Sequence, residues 1–136
     1  MPQLRQLIST GGPWEAKAGY SRAVRVGDHV YVAGTAAVKD GKLVGPGDVV
    51  AQTRQTMTTI VHALHEVGAS IGDVVRYRVY LTDIEDNTKV VPLLGEYFGE
   101  VRPAGTLVGV TALIDPEMLI EIEVDAIRGS ATHDDE

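Results

Sequence analysis

The chain has 136 residues, 44% hydrophobic and 23% charged, which describes one globular domain able to bury a core without metals or cross-links. It has no cysteine, so disulfides, thiolate metal sites and thiol nucleophiles are excluded, and a reducing, cytoplasmic setting is the expected one. Lys and Arg number 12 against 19 Asp and Glu, a formal charge of −7, and the basic residues are scattered, which argues against a nucleic-acid binder.

Residues 1–10 hold no long apolar run, and no segment reaches the length of a membrane span, so neither a signal peptide nor a membrane helix is expected. Trp14, the single tryptophan, follows in a Gly-Gly-Pro-Trp-Glu lead-in, where it either covers an apolar pocket mouth or packs the N-terminal arm. Residues 20–26 read as a strand with Tyr20, Arg22, Val24 and Val26 on one face. Gly27-Asp28 turns it into a second strand at 29–33, a hairpin ending at Gly34. Lys39-Asp40-Gly41-Lys42 is a further turn. Asp48 is placed to cap a helix over 49–67, whose stripe is Val50, Met57, Ile60, Val61, Leu64 and Val67 and whose stop is Gly68.

Residues 74–81 form a β-rich strand, and 82–88 a polar loop. A shorter helix follows, striped by Val90, Val91, Leu94, Tyr97 and Phe98, with Pro92 expected in its first turn. Strands at 106–110 and 119–127 close the domain, joined through Asp115-Pro116. The domain spans 1–128, and 129–136 is small, polar and acidic, a flexible tail. Two amphipathic helices cover one face of such a sheet, which leaves the other face to a partner.

The last strand alternates strictly. Ile120, Ile122, Val124 and Ala126 point one way, and Glu121, Glu123 and Asp125 the other. A core needs the first set, so the carboxylates face solvent, a partner subunit or a ligand. Glu121 is the candidate general base for a water, with its neighbours either raising its pKa by repulsion or tied up in ion pairs across the trimer. Arg22, about 7 Å along the strand from Tyr20, either offers a cation to the same pocket or bridges to Glu121 or Glu123 of a neighbouring strand or subunit. Arg102, in an extended turn before Pro103, is a second candidate cation, read as a surface residue. His62 and His65 lie three apart beside Glu66 but lack a third ligand at a metal-site spacing, so no metal is expected. The glycines near Pro46 have no following Lys-Ser/Thr, and no Gly-x-Ser-x-Gly occurs, which removes a phosphate loop and an acyl-transfer serine.

An ordered set of segments over residues 19–127 resembles the reactive intermediate/imine deaminase (Rid, YjgF-like) family. These are Gly19-Tyr20, Val32-Ala33-Gly34, Ala51-Gln52-Thr53-Arg54-Gln55, Gly72-Asp73-Val74-Val75, Val79-Tyr80-Leu81-Thr82-Asp83, Tyr97-Phe98, Arg102-Pro103-Ala104 and Ile120-Glu121-Ile122-Glu123. The resemblance implies an α+β, chorismate-mutase-like mixed sheet with two helices on one face. It also implies a homotrimer around a central barrel, with small-molecule pockets between subunits. Active members hydrolyse enamines and imines to ammonia and a 2-oxo acid without a cofactor. By position, Tyr20 and Glu121 correspond to the groups that flank the imine and the water, and Ala33 and Gly34 to the backbone that holds substrate. The family's carboxylate-binding arginine falls at Gly105, followed here by Thr106. A position that is usually small falls at Leu107, and an asparagine contact at Val91.

Without the arginine, a substrate carboxylate loses a bidentate partner. Two functions from different classes are therefore carried forward. One is an enamine or imine hydrolase of altered substrate range, using Glu121 and Tyr20 with Arg22, Ala33, Gly34, Gly105, Thr106, Leu107 and Trp14 around the substrate. The other is a non-catalytic trimer that binds or senses a small metabolite. An RNA-directed activity fits poorly with net acidity and no basic stripe.

Overall fold

Runs of β-branched residues punctuated by glycine turns set the element order. In the computed structural model, which describes residues 4–131, the chain forms β1 (Arg5–Ile8), α1 (Pro13–Ala18), β2 (Ala23–Val26), β3 (His29–Thr35), β4 (Val38–Lys39), β5 (Lys42–Leu43), α2 (Val49–Glu66), β6 (Val74–Leu81), α3 (Asn87–Phe98), β7 (Ala104–Gly109) and β8 (Ile120–Ile127). Six strands make one mixed sheet in the order β1-β2-β3-β8-β6-β7, and β4 and β5 form a separate small hairpin. The fold is α+β. All neighbours in the large sheet are antiparallel except β6 and β7. A parallel pair needs a long crossover, which α3 supplies.

The alternation of β8 is realised residue by residue: Ile120, Ile122, Val124 and Ala126 are buried and the acids between them are not. The buried row packs with Met57, Ile60 and Leu64 of α2, and α3 closes the same side with Val90, Leu94 and Phe98. α2 begins as expected, with the Asp48 carboxylate accepting from the Ala51 amide at 3.0 Å. Gly68, at φ +80°, turns the chain after it. Asp48→Ala is expected to cost about 1 kcal/mol of stability, the usual worth of such a cap, read as a shift of the urea midpoint at unchanged slope.

Several expectations need correction. β2 begins at Ala23, so Tyr20 and Arg22 precede the strand, although the Arg22 amide still donates to Ile8 and its carbonyl accepts from Ala33. Val50 and Val91 are exposed rather than in the helix stripes. On α2 the buried face includes Gln52, Thr53 and Thr56, polar side chains that a hydrophobic count passes over. Pro92 is the sixth residue of α3, not in its first turn. A 3-10 turn at Ile84–Asp86 runs straight into Asn87 and starts the helix early, and the missing amide at 92 costs the Thr88 carbonyl its helical donor. β1 and α1 were not anticipated. Of the expected tail, Ser130 Oγ donates to the Asp73 carbonyl at 3.2 Å and the Ala131 amide to Asp73 Oδ1 at 2.9 Å; residues 132–136 lie outside the described residues.

Candidate functional site

The register between β3 and β8 slips between Val32 and Thr35, so Ala33 and Gly34 together oppose Glu123. Such a bulge bends the strand and aims its backbone away from the ladder. Here it brings Gly34 against Glu121. A Cβ at residue 34 would overlap Glu121 Oε2 and lie 3.0 Å from its Cδ, so only glycine permits this approach of carboxylate to backbone.

Arg22 holds the bulge from the other side. Its Nη1 donates to the Gly34 carbonyl at 2.7 Å and to the Thr35 hydroxyl at 3.0 Å, and Thr35 passes a bond on to the Ala33 carbonyl at 2.7 Å. The guanidinium lies 5.6 Å from the Tyr20 ring centroid, within cation–π range. Its ion-pair partner within the chain is Glu15 of α1, Nε to Oε2 at 3.4 Å, and not Glu121 or Glu123 of the neighbouring strand.

Glu15 is 4% exposed and accepts from the Ser9 hydroxyl at 2.8 Å, the Thr10 hydroxyl at 2.5 Å and the Thr10 amide at 3.2 Å. Burial opposes its charge, but the bonds from Thr10 and Ser9, helped by Arg22, prevail and hold its pKa below the ordinary 4.5. A lowered carboxyl adds stability that is present above pH 4.5 and is lost as pH falls through the folded value. Glu15→Gln is expected to lower stability at pH 7 by about 2 kcal/mol and to flatten the acid limb below pH 4.5. Urea titrations at pH 7 and pH 3.5 check this; midpoints that track wild type at both would remove Glu15 from the folded network.

The three acids of β8 separate by environment. Glu123 accepts from the Tyr80 hydroxyl at 2.5 Å and from Arg78 at 3.2 Å, and Asp125 lies 3.7 Å from the same guanidinium. These pairs lie within one chain, where the expectation placed them across the trimer. Glu121 has no hydrogen bond or ion pair among the described residues. Its pKa is raised above 4.5, first by burial and further by Glu123, against the pull of Arg22. A carboxyl that is unpaired and raised suits proton transfer nearer neutrality.

Gly105, Thr106 and Leu107 belong to a different place. Gly105 pairs with Tyr77 and Leu107 with Val79; Val79 is fully buried and Leu107 packs on the same core, so Gly105 and Leu107 turn to the helical side of the sheet. With Val91, Phe98 and Arg102 these residues line a cavity of about 550 Å3 between α3 and β7. Glu121, on the alternate parity of β8, turns to the open side. The sheet therefore separates the expected site into a carboxylate half (Tyr20, Arg22, Ala33, Gly34, Glu121) and a cavity half (Gly105, Leu107), while Thr106 borders the cavity with its side chain on the opposite parity, beside Arg78. Trp14 is half exposed, with Lys17 Nζ 5.5 Å from its ring centroid. Arg102 is exposed at the edge of the cavity, with φ +56° at the chain reversal after α3.

Sequence reasoning missed Glu15 and Tyr77. Pro13 at the first position of α1 and Gly19 at its left-handed end were legible marks of a helix that would carry Glu15. Tyr77 carried no local mark. No group of three or more His, Asp or Glu among the described residues is placed to hold a metal; His62 pairs with Glu66 at 3.6 Å. No helix among them is long and apolar enough to cross a membrane.

Residues 12–128 match the family model described as endoribonuclease L-PSP. An uncharacterised protein of Streptomyces coelicolor is 42% identical over 123 residues, 90% of this chain and 92% of that protein. The 3-aminoacrylate deaminase RutC of Acinetobacter baylyi is 35% identical over 119 residues, 87% of this chain and 94% of its own length. Among solved structures, a Mycobacterium tuberculosis member of the YjgF/YER057c/UK114 family superposes with a TM-score of 0.83 at 44% identity, covering 91% of this chain and 99% of that one.

Proposed function

Because the chain belongs to the endoribonuclease L-PSP family, the YjgF or Rid group, we propose that it is a cofactor-independent hydrolase of small imines and enamines with a reduced requirement for a substrate carboxylate. The observation that carries the reading is Glu121: a raised, unpaired carboxyl held against the Gly34 backbone. Water adds to the imine carbon as Glu121 takes one of its protons and passes it to nitrogen, giving a carbinolamine; the carbinol hydroxyl proton then moves through Glu121 to nitrogen as C=O forms and the C–N bond breaks, and ammonia and a carbonyl compound leave. Tyr20 orients the substrate, and the Gly34 backbone holds it. Arg22 shapes the bulge through the Gly34 carbonyl and biases Glu121 toward its ionised form.

A complete site needs a second copy of the chain. The two halves lie on opposite sides of one sheet, so a neighbouring subunit brings its α3–β7 cavity to the carboxylate half of the first, as in the homotrimer that the family resemblance implies. The open side supports such docking, with Leu7 57% and Tyr31 49% exposed on a face that the helices leave uncovered. Gly105 at the cation position weakens the hold on a carboxylate by roughly a hundredfold. That same glycine favours the second reading, a non-catalytic trimer that binds a small metabolite.

Ammonia release separates the two. Freshly generated 2-aminoacrylate and its uncharged carboxamide counterpart are supplied to the wild-type protein. The expected result is acceleration over the spontaneous rate for both, with the larger gain for the carboxamide. No acceleration of either leaves the binding protein as the function.

A further inference from the structure

The cavity between α3 and β7 holds a feature that the loss of a cation does not by itself account for. Gly105 is not followed by open space. A Cβ built there would lie 2.7 Å from Tyr77 Cζ, and 2.9 Å from both its Cε1 and its hydroxyl oxygen. The Tyr77 ring thus covers the glycine, in the direction any larger side chain at 105 would take. Phe98 backs the ring at a centroid distance of 4.9 Å, tilted by 30°, so it rests on a wall and is not a loose surface residue. Its hydroxyl has no hydrogen-bond partner among the described residues, and Tyr77 lines the cavity.

We infer that Tyr77 is the specificity-determining residue of this cavity, selecting small ligands that pair an apolar body with an uncharged hydrogen-bonding group. Val91, Leu94, Phe98 and Leu107 supply apolar wall. The Tyr77 hydroxyl can donate to a carbonyl or accept from an amide. Arg102 is the one charged residue of the lining, and it is solvent-exposed; a hydrated guanidinium there contributes little to holding an anion. An ionised carboxylate entering the cavity would shed its own water against apolar wall and find one neutral hydroxyl in return, whereas a carboxamide sheds less and is satisfied by it. Residues 77 and 105 therefore act as a size pair: the ring is accommodated because position 105 has no side chain. A cation placed at 105 cannot work while the ring remains.

The inference deepens the proposed function by naming its ligand class, and it rests on the same cavity. Its test reads binding, so ammonia release can fail while the binding result stands, and the reverse. Benzamide and benzoate, equal in shape and different in charge, are titrated into the full-length protein by NMR. The wild type is expected to prefer benzamide by about tenfold or more, and Tyr77→Phe to weaken benzamide about tenfold, the usual worth of one hydrogen bond, with a smaller change for benzoate, which stays largely hydrated and uses that hydroxyl less. Gly105→Ala, whose Cβ displaces the ring, is expected to give the same loss; Arg102→Ala is expected to leave the ratio alone. Gly105→Arg alone is expected not to recruit benzoate, while Gly105→Arg combined with Tyr77→Ala does, a coupling that appears only in the double variant. Absence of benzamide binding by the wild type, an unchanged ratio in Tyr77→Phe, or tight benzoate binding by Gly105→Arg alone would each overturn the assignment.

Discussion

Gln52→Leu is expected to destabilise the protein by about 3 kcal/mol, lowering the melting temperature on the order of 10 °C. Gln52 is fully buried on α2, and its amide is used completely. Nε2 donates to the Gly45 carbonyl at 3.1 Å and to the Glu117 carbonyl at 3.0 Å, while Oε1 accepts from the Leu119 amide at 2.8 Å. One side chain thus joins the loop before α2 to the loop before β8, across 65 and 67 residues of sequence. Leucine fills much of the volume but leaves the Glu117 carbonyl and the Leu119 amide without partners, while the Gly45 carbonyl keeps only the Asp48 amide at 2.9 Å, and unmet buried groups are the costly kind.

Gln52→Glu separates this account from simple packing. A new carboxylate would face two carbonyl oxygens, so its folded pKa would be raised. Its protonated form, able to donate to one of them, would restore part of the stability below about pH 4.3, and that part would be lost as pH rises through the folded value. Gln52→Leu should show no such pH dependence. Equal pH dependence in the two variants would show that hydrogen bonding at 52 is not what holds these loops. Because Leu119 is two residues before Glu121, the Gln52 variants should also lose activity through a misplaced start of β8.

How much of this was legible follows from the range over which each signal acts. The period-two pattern of β8, the Asp48 cap and the Gly27-Asp28 turn are encoded within a few residues, and each appears where local chemistry put it. α1 has 6 residues, too few for a periodic stripe, and β1 has 4, so both passed as an arm. Gln52 and Glu15 draw their meaning from partners that only the folded chain supplies. The strand parities of β6, β7 and β8 decide that Glu121 and Gly105 lie on opposite sides of one sheet. The family resemblance named both as site residues and implied pockets between subunits, but could not by itself place the two on opposite sides of one sheet. Tyr77 is the clearest case: its place over Gly105 follows from the parallel register of β6 and β7, which no local pattern records.

Glu121→Gln is expected to lower kcat for ammonia release by about 10²- to 10³-fold, the range for removing a general acid–base group, with KM within a few-fold. It is also expected to raise stability at neutral pH. The folded pKa of Glu121 lies above its ordinary value, so its contribution to stability is full below about pH 4.5 and is lost as pH rises through the folded value, above which the ionised carboxyl is held at a cost. A glutamine keeps the shape without that cost. Activity and stability should therefore move in opposite directions, a pattern expected of a group held for chemistry and not of one held for structure. The wild-type rate should rise with pH through a limb placed above 4.5, as the base form appears. Arg22→Gln, which removes the cation that favours the ionised form, should move that limb to higher pH. A Glu121→Gln variant that is less stable than wild type at pH 7, or an acid limb unmoved by Arg22→Gln, would return Glu121 to a structural role and leave the binding protein as the better reading.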